Sequence, residues 1–228
     1  MRRLLRDISS VLLISGTLLL LDAGLTLLWQ EPLTAVIGLI KRSQVDNRFL
    51  SYQRAPLAPL DRRTLASLRS IDQRIAYLAR REQRQVPAGD AIGKIVMPRL
   101  SASYNVIEGT DTASLEKGPG RDPRTHFPGL GQTIGIAGHR TTYLKPFRYI
   151  DQLRPGDKIV LKMRYAWFTY VVQYHKIVLP TAVSVFDNVG YDRLVLSACN
   201  PLYSAAQRII VFARLQGFVA QSEALRGA

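Results

Sequence analysis

Hydrophobic positions divide the chain into three stretches with different periods. Nearly every position from Val11 to Trp29 is apolar, and the stretch from 31 to about 90 places apolar residues three or four apart. From Ile92 onward, short runs rich in Val, Ile, Leu and aromatic residues alternate with Gly- and Pro-containing turns. These periods predict an apolar helix, then a helical region, then a mainly β domain.

The first stretch is long enough to cross a membrane. Its nineteen residues would span roughly 28 Å as a helix, about one hydrocarbon core. Arg2, Arg3 and Arg6 precede it, so the positive-inside rule predicts a cytoplasmic N-terminus (1–10), a transmembrane signal anchor (11–29) and an exported remainder. A cleaved signal peptide is the alternative, although the sequence around Ala23 is a poor cleavage site. Asp22 is either protonated or faces a partner helix.

The second stretch, 31–90, predicts a helical stalk in two pieces. A Pro-containing break at 54–59 separates the pieces, and 87–89 (Pro-Ala-Gly) ends the second one. The apolar stripe covers about two heptads, fewer than a coiled coil needs, so we expect packing on the following domain rather than dimerisation. The remaining faces are rich in arginine, which predicts solvent-exposed surfaces that can also attract lipid head groups or wall polymers.

The third stretch predicts a closed or sandwiched antiparallel β domain over 91–218, followed by a C-terminal tail (219–228). Within this domain, only Lys145–Leu153 is predicted to be helical. The predicted strands are Ile92–Met97, Tyr104–Ile107, Thr133–Gly138, Lys158–Lys162, Trp167–Leu179, Arg193–Ser197 and Arg208–Leu215.

Composition narrows the function classes. The 228 residues carry a formal net charge of +14, which favours contact with polyanions such as an anionic membrane face or cell wall. Nucleic acid is a poor candidate, because the basic residues lie on the exported side without an aromatic and Gly-rich binding module. The single cysteine excludes an internal disulfide and a zinc site built on several cysteines.

Three residues at predicted strand ends could carry chemistry. His139 follows one apolar run, Cys199 ends another, and Arg208 opens the next strand. If the last two strands form a hairpin, Cys199 and Arg208 face each other across its mouth. A thiol, an imidazole and a guanidinium suit acyl transfer, as nucleophile, proton donor and oxyanion holder. Taken singly, each also fits an ordinary structural role, so spacing alone does not decide.

Several motifs in a fixed order resemble the sortase family, most closely its class E members. The resemblance covers about 91–218. It rests on Gly118–Gly120 (GPG), Ala137–Tyr143 (AGHRTTY), Pro146–Phe147, Ile150–Asp157 (IDQLRPGD), Val183–Val185, Leu194–Pro201 (LVLSACNP) and Gln207–Val211 (QRIIV).

The resemblance implies an eight-stranded sortase β-barrel with cysteine transpeptidase activity. His139, Cys199 and Arg208 match the family's catalytic histidine, nucleophile and arginine. It implies exported protein substrates with a C-terminal LPXTG-like, or LAXTG, sorting signal that is cut between Thr and Gly. The acceptor would be an amine of a peptidoglycan precursor or of a pilin. We therefore expect a single-pass protein of the bacterial cell membrane with an extracellular catalytic domain and no cofactor or metal.

The sequence departs from the family pattern beside the cysteine, where Ala198 replaces the usual threonine. His126 lies in an atypical run and His175 in mid-strand, so neither is assigned to catalysis. Two other functions stay open: a catalytically weak sortase-fold module that binds wall components or proteins, and a cysteine protease that only hydrolyses.

Overall fold

A computed structural model of the chain describes residues 2–29 and 32–221. Eight strands close into a barrel in the order β1-β2-β3-β4-β7-β8-β6-β5, which confirms the predicted eight-stranded β-barrel. The strands are Ala91–Met97 (β1), Ala102–Glu108 (β2), Gly120–Arg121 (β3), Thr133–Ala137 (β4), Lys158–Met163 (β5), Ala166–Val178 (β6), Arg193–Asn200 (β7) and Gln207–Ala220 (β8). The α-helices are Arg2–Trp29 (α1), Pro32–Arg54 (α2), Pro59–Ser67 (α3), Ile71–Gln85 (α4) and Thr112–Leu115 (α5).

The barrel is not wholly antiparallel, which corrects the expectation from the turn-separated strands. Strands β2 and β3 pair in parallel, as do β4 and β7. The chain leaves β4, builds the β5–β6 hairpin on the far side of the barrel, and returns to add β7 beside β4 in the same direction. The last two strands form the expected antiparallel hairpin.

The main hydrophobic core lies inside the barrel and extends to two of the helices that precede it. Alternate residues of β5, β6 and β7 point inward, as the period of two predicts. Helices α3 and α4 add Leu65, Ile75 and Leu78, each at most 2% exposed, to the same cluster. The helical region therefore packs on the barrel, while the domain boundary at residue 90 stays a prediction.

Local chemistry divides the second helical piece in two. The break at 54–59 is present, but α3 ends at Ser67 and α4 begins only at Ile71. The Gln73 backbone N–H donates a hydrogen bond to the Ser70 hydroxyl (3.1 Å), and the Ser70 backbone N–H donates one to the side-chain oxygen of Gln73. This capping box starts a new helix and turns the chain before it.

The prediction of a helix over Lys145–Leu153 is wrong. The segment forms turns and one short 3₁₀ helix, Ile150–Gln152. Lys145 has a positive φ of 40°, a left-handed conformation that an α-helix does not accommodate. Pro146 follows it, and a proline disfavours helical geometry in the preceding residue.

The N-terminal helix α1 contains a 19-residue span, Arg6–Gly24, that is long and apolar enough to cross a membrane. The hydroxyls of Ser15 and Thr17 donate to carbonyls one turn earlier, at 2.7 and 2.8 Å. Hydroxyls bonded in this way cost little in hydrocarbon, because the helix itself supplies their partners. The span is consistent with the predicted membrane anchor.

Glu82 of α4 gives the fold a pH-dependent stability. It is 1% exposed, and burial, only partly offset by Tyr52, Arg164 and Arg81, raises its pKa from 4.5 to about 7. The folded state therefore binds an extra proton between these two values, so the stability is full below pH 4.5 and is lost progressively as pH rises from 4.5 through 7. The difference is of order 3 kcal/mol.

We expect Glu82→Gln to raise Tm at pH 8.5 and to change it little at pH 5, because Gln stays neutral at both. Thermal unfolding followed by circular dichroism at the two pH values measures this. Asp72→Asn, on the exposed first turn of the same helix, is the control and should gain no stability at pH 8.5. An equal Tm change in Glu82→Gln at both pH values would contradict the prediction.

Candidate active site

One row of residues crosses three neighbouring strands at one end of the barrel. Cys199 of β7 is directly opposite Arg208 of β8, and Arg208 is opposite Val178 of β6. Directly paired residues of antiparallel strands share a face of the sheet. The register thus puts Cys199 and Arg208 next to each other on one face of the sheet, as the predicted hairpin required.

The parallel pairing of β4 with β7 brings His139 to the same row. Ala137 pairs with Ser197, and the Gly138 amide donates to the Ser197 carbonyl at 3.0 Å. His139 lies two residues past Ala137, just as Cys199 lies two residues past Ser197. The three candidate residues therefore lie at the same end of adjacent strands.

The glycine before the histidine has a steric reason. A Cβ at Gly138 would lie 2.6 Å from the ring of Phe147, so only glycine allows this close packing. Phe147 is fully buried and its amide donates to the His139 carbonyl at 3.0 Å. The ring and this hydrogen bond hold the start of the loop that carries His139.

Arg140, which was not predicted from the sequence, joins the histidine loop to the cysteine strand. This side chain is only 4% exposed. It donates to the Cys199 carbonyl (3.4 Å) and to Oδ1 of Asn200 (3.1 Å), and it forms an ion pair with Asp151 at 3.2 Å. An arginine beside a candidate histidine was visible in the sequence, but its burial depends on the fold.

His139 lies in a partly buried, weakly polar setting. Burial lowers its pKa, and the negative charge of Glu116 acts in the opposite direction. Its Nε2 is buried and has no hydrogen-bond partner among the described residues. Its ring lies 5.3 Å from the ring of Tyr143. The imidazole is therefore mainly neutral at pH 7 and can accept a proton.

Arg208 and Cys199 are both partly exposed, so a substrate can reach them. The guanidinium of Arg208 donates to the carbonyls of Ala205 (3.0 Å) and Gln207 (2.9 Å), in both cases from Nη1. The turn between β7 and β8 thus holds one edge of the guanidinium, and its planar fork presents Nε and Nη2 as further donors.

An apolar surface continues from this row along the outer face of the barrel. Val195, Ile210 and Phe212 form a small buried cluster, against which the partly buried Val185 and Phe186 pack. Val178, which is opposite Arg208, packs on the same cluster, and nearby Val183 is 53% exposed. This face offers an apolar contact area beside the thiol.

The other residues that the sequence singled out lie away from the row. Ala198 is 3% exposed and belongs to the core cluster inside the barrel, on the opposite face of β7 from Cys199. His126 precedes β4, where its amide donates to the Thr133 carbonyl at the strand's far end. His175 pairs with Val211 in mid-strand. Within residues 2–29 and 32–221, no cluster of His, Cys, Asp and Glu is arranged to hold a metal ion.

Comparison with known sequences gives one family. The sortase domain model matches residues 95–216. Sortase D of Bacillus subtilis is 32% identical over 130 residues, which cover 55% of this chain and 64% of that protein. Sortase SrtE1 of Streptomyces coelicolor is 31% identical over 140 residues, 57% of this chain and 36% of that protein. The chain thus spans less than two thirds of these relatives.

Solved structures give the same picture. Sortase E1 from Streptomyces coelicolor, crystallised with a tripeptide in its active site, aligns with a TM-score of 0.57 and 27% identity, over 59% of this chain and 93% of that one. Sortase E from Streptomyces avermitilis aligns with a TM-score of 0.54 and 35% identity, over 62% of this chain and 100% of that one.

Proposed function

Because this chain belongs to the sortase family, we propose that it is a cysteine transpeptidase acting on exported proteins. The substrate is an LPXTG-like sorting signal, with the LAXTG form as a candidate, cut between Thr and Gly. The observation that carries the proposal is the single row in which Cys199 and Arg208 pair directly and His139 lies alongside.

The first half-reaction forms a thioester. The Cys199 sulfur attacks the carbonyl carbon of the substrate threonine while its proton passes to the neutral His139 imidazole. Arg208 donates hydrogen bonds to the oxyanion that develops on the carbonyl oxygen. When the intermediate collapses, the C–N bond breaks, and the imidazolium returns its proton to the departing glycine amine.

The second half-reaction determines the product. An amine attacks the thioester carbonyl and His139 takes a proton from that amine. The C–S bond then breaks, and the imidazolium gives the proton to the Cys199 sulfur, which restores the thiol and the neutral imidazole. The proposed acceptor is an amine of a peptidoglycan precursor or of a pilin lysine. Attack by water instead would make the protein a hydrolase.

The surroundings of the row suit an exported peptide. The exposed Val183 and the partly buried Val185, which packs on the small buried cluster around Ile210, form the proposed contact area for the leucine and the alanine or proline of the sorting signal. The apolar span of helix α1 supports the proposal that the protein is anchored in the cell membrane, with the N-terminus cytoplasmic and the barrel extracellular. In that location the barrel would meet substrates as they leave the membrane.

The direct test is a cleavage and transfer assay. The full-length chain in detergent micelles is incubated with fluorescence-quenched LPXTG and LAXTG peptides, with and without an added amine. We expect cleavage between Thr and Gly, an acyl adduct on Cys199 in intact-mass spectra, and an amide product when the amine is present. Hydrolysis alone would support the protease alternative. The absence of both cleavage and adduct would support the binding module.

Arg208→Lys tests whether the guanidinium acts through its planar set of donors or only through its positive charge. Lysine keeps the positive charge but lacks the planar fork of donors, so we expect a loss of ~10²–10³-fold in kcat/KM. Arg214→Lys, an exposed arginine on the same strand, is the matched control and should retain activity. A fully active Arg208→Lys would mean that this position supplies charge alone.

A further inference from the structure

A chain of polar contacts runs from helix α2 to the histidine loop. Lys41 of α2 forms an ion pair with Oε2 of Glu116, whose other oxygen accepts a hydrogen bond from the Tyr143 hydroxyl at 2.8 Å. Glu116 directly follows the short helix α5, and Tyr143 lies four residues past His139. Three separate segments thus meet at one carboxylate.

Helix α2 also packs closely against the same loop. A Cβ at Gly38 would lie 3.2 Å from the Leu144 side chain, tighter than most contacts, so glycine lets the helix approach. About two and three helical turns after Gly38, Val45 and Phe49 are buried against Ala91 and Ile107 of the barrel. The helix is therefore fixed to the barrel and not only to the loop.

The loop has a conformation that needs external support. Tyr143 has a φ of +52°, in the left-handed region that bulky residues rarely occupy. Such backbone persists only where its surroundings hold it. The hydrogen bond to Glu116 and the contact with the His139 ring, 5.3 Å between centroids, supply that support.

Electrostatics connect Glu116 to the histidine as well. Lys41 and Tyr143 lower the pKa of Glu116, and His139 adds to this in a smaller way. Glu116 in turn opposes the burial that lowers the pKa of His139. The other charged side chains on the histidine loop and the adjacent strands are Arg140 with its partner Asp151, Lys145, Arg148 and Arg208.

We propose that helix α2 positions the catalytic histidine, through the contacts Lys41–Glu116–Tyr143 and the packing of Gly38 on the loop. Lys41, Glu116 and Tyr143 are positioning residues, because they act on His139 and not on the substrate. The inference rests on the proposed function. It adds that the helical segment before the barrel takes part in setting the activity.

Kinetics of full-length variants in detergent micelles test the positioning. Lys41→Met, Glu116→Gln and Tyr143→Phe should each lower kcat about tenfold with KM little changed, since small misplacements of a catalytic group cost up to ~10²-fold. Arg48→Met is the matched control. It removes an equal charge from α2 and breaks an ion pair with Asp90 (3.6 Å) at the barrel, far along the helix from Lys41, and it should keep wild-type kcat.

The pKa of His139 gives a readout that a purely structural role would not move. The chain has three histidines, so their imidazole signals can be assigned by substitution and titrated by NMR. Glu116→Gln removes a negative charge and should lower the pKa of His139, while Lys41→Met removes a positive charge and should raise it. Both variants should still lose kcat, a combination that positioning explains and charge alone does not.

The outcomes separate this inference from the proposed function. If Lys41→Met and Glu116→Gln keep wild-type kcat, or lose only thermal stability, the positioning role is overturned while the transpeptidase stands. If the wild-type chain cleaves no sorting peptide, the proposed function fails. The NMR titrations then still decide whether the contacts reach His139, because an unmoved pKa in both variants would overturn the coupling.

Discussion

Cys199→Ala is expected to abolish both peptide cleavage and the acyl adduct. The thiol is the proposed nucleophile, and its removal takes away the covalent step itself. Removing the nucleophile of a comparable catalytic group costs on the order of 10⁶-fold, so the remaining rate should be at background. Since Cys199 is partly exposed at a strand end, the change leaves the barrel core untouched and Tm should stay close to wild type.

The single cysteine of the chain makes this experiment unambiguous. Intact-mass spectrometry after incubation with a sorting peptide should show one acyl group on the wild type and none on the variant. Alkylation by iodoacetamide should add one group to the wild type and block cleavage. Undiminished cleavage in a folded Cys199→Ala protein would end the transpeptidase proposal, whatever the family resemblance.

The strands of the barrel were largely predictable because each carries its own alternating pattern. The pattern failed at β3, since the two residues Gly120–Arg121 are too short to show any period. It also gave no information on direction, so the parallel pairing of β4 with β7 became visible only in the structure. Strand direction depends on how the chain returns across the barrel, which local sequence does not encode.

The two wrong helix predictions, an undivided helix over α3 and α4 and a helix over 145–153, have local causes that are visible in the sequence. The Ser70–Gln73 capping box marks the start of α4, and the proline at 146 argues against the helix predicted over 145–153. The spacing of apolar residues predicted a continuous helix through the capping box and another helix beginning beside Pro146. In each place the turn chemistry decided the structure against the hydrophobic period.

The site divides into a predictable and an unpredictable part. His139, Cys199 and Arg208 carry reactive side chains at predicted strand ends and match family motifs, so the sequence could propose them, and their catalytic roles stay a prediction. Arg140 and Glu116 were missed because their importance comes from partners far away in the chain: Arg140 with the carbonyl of Cys199, and Glu116 with Lys41. Contacts of this kind exist only once the barrel has closed.

His139→Ala should reduce kcat/KM by ~10²–10⁴-fold, the usual worth of a general acid–base group. The other two histidines provide matched controls. His126 lies at the far end of β4 and His175 in the middle of β6, so His126→Ala and His175→Ala should keep wild-type rates. A comparable loss in either control would move the proton-transfer role away from His139.

The pH profile adds a second test of the same role. Burial lowers the pKa of His139 below its usual value, so its imidazole stays neutral down to mildly acidic pH and loses its basic form only below that. Wild-type kcat/KM should therefore fall on the acid side through this lowered pKa, and His139→Ala should lack that fall. Glu116→Gln should shift the acid limb further down, because it removes the negative charge that opposes the effect of burial. If the acid limb persists unchanged in His139→Ala, another group takes the proton of the Cys199 thiol.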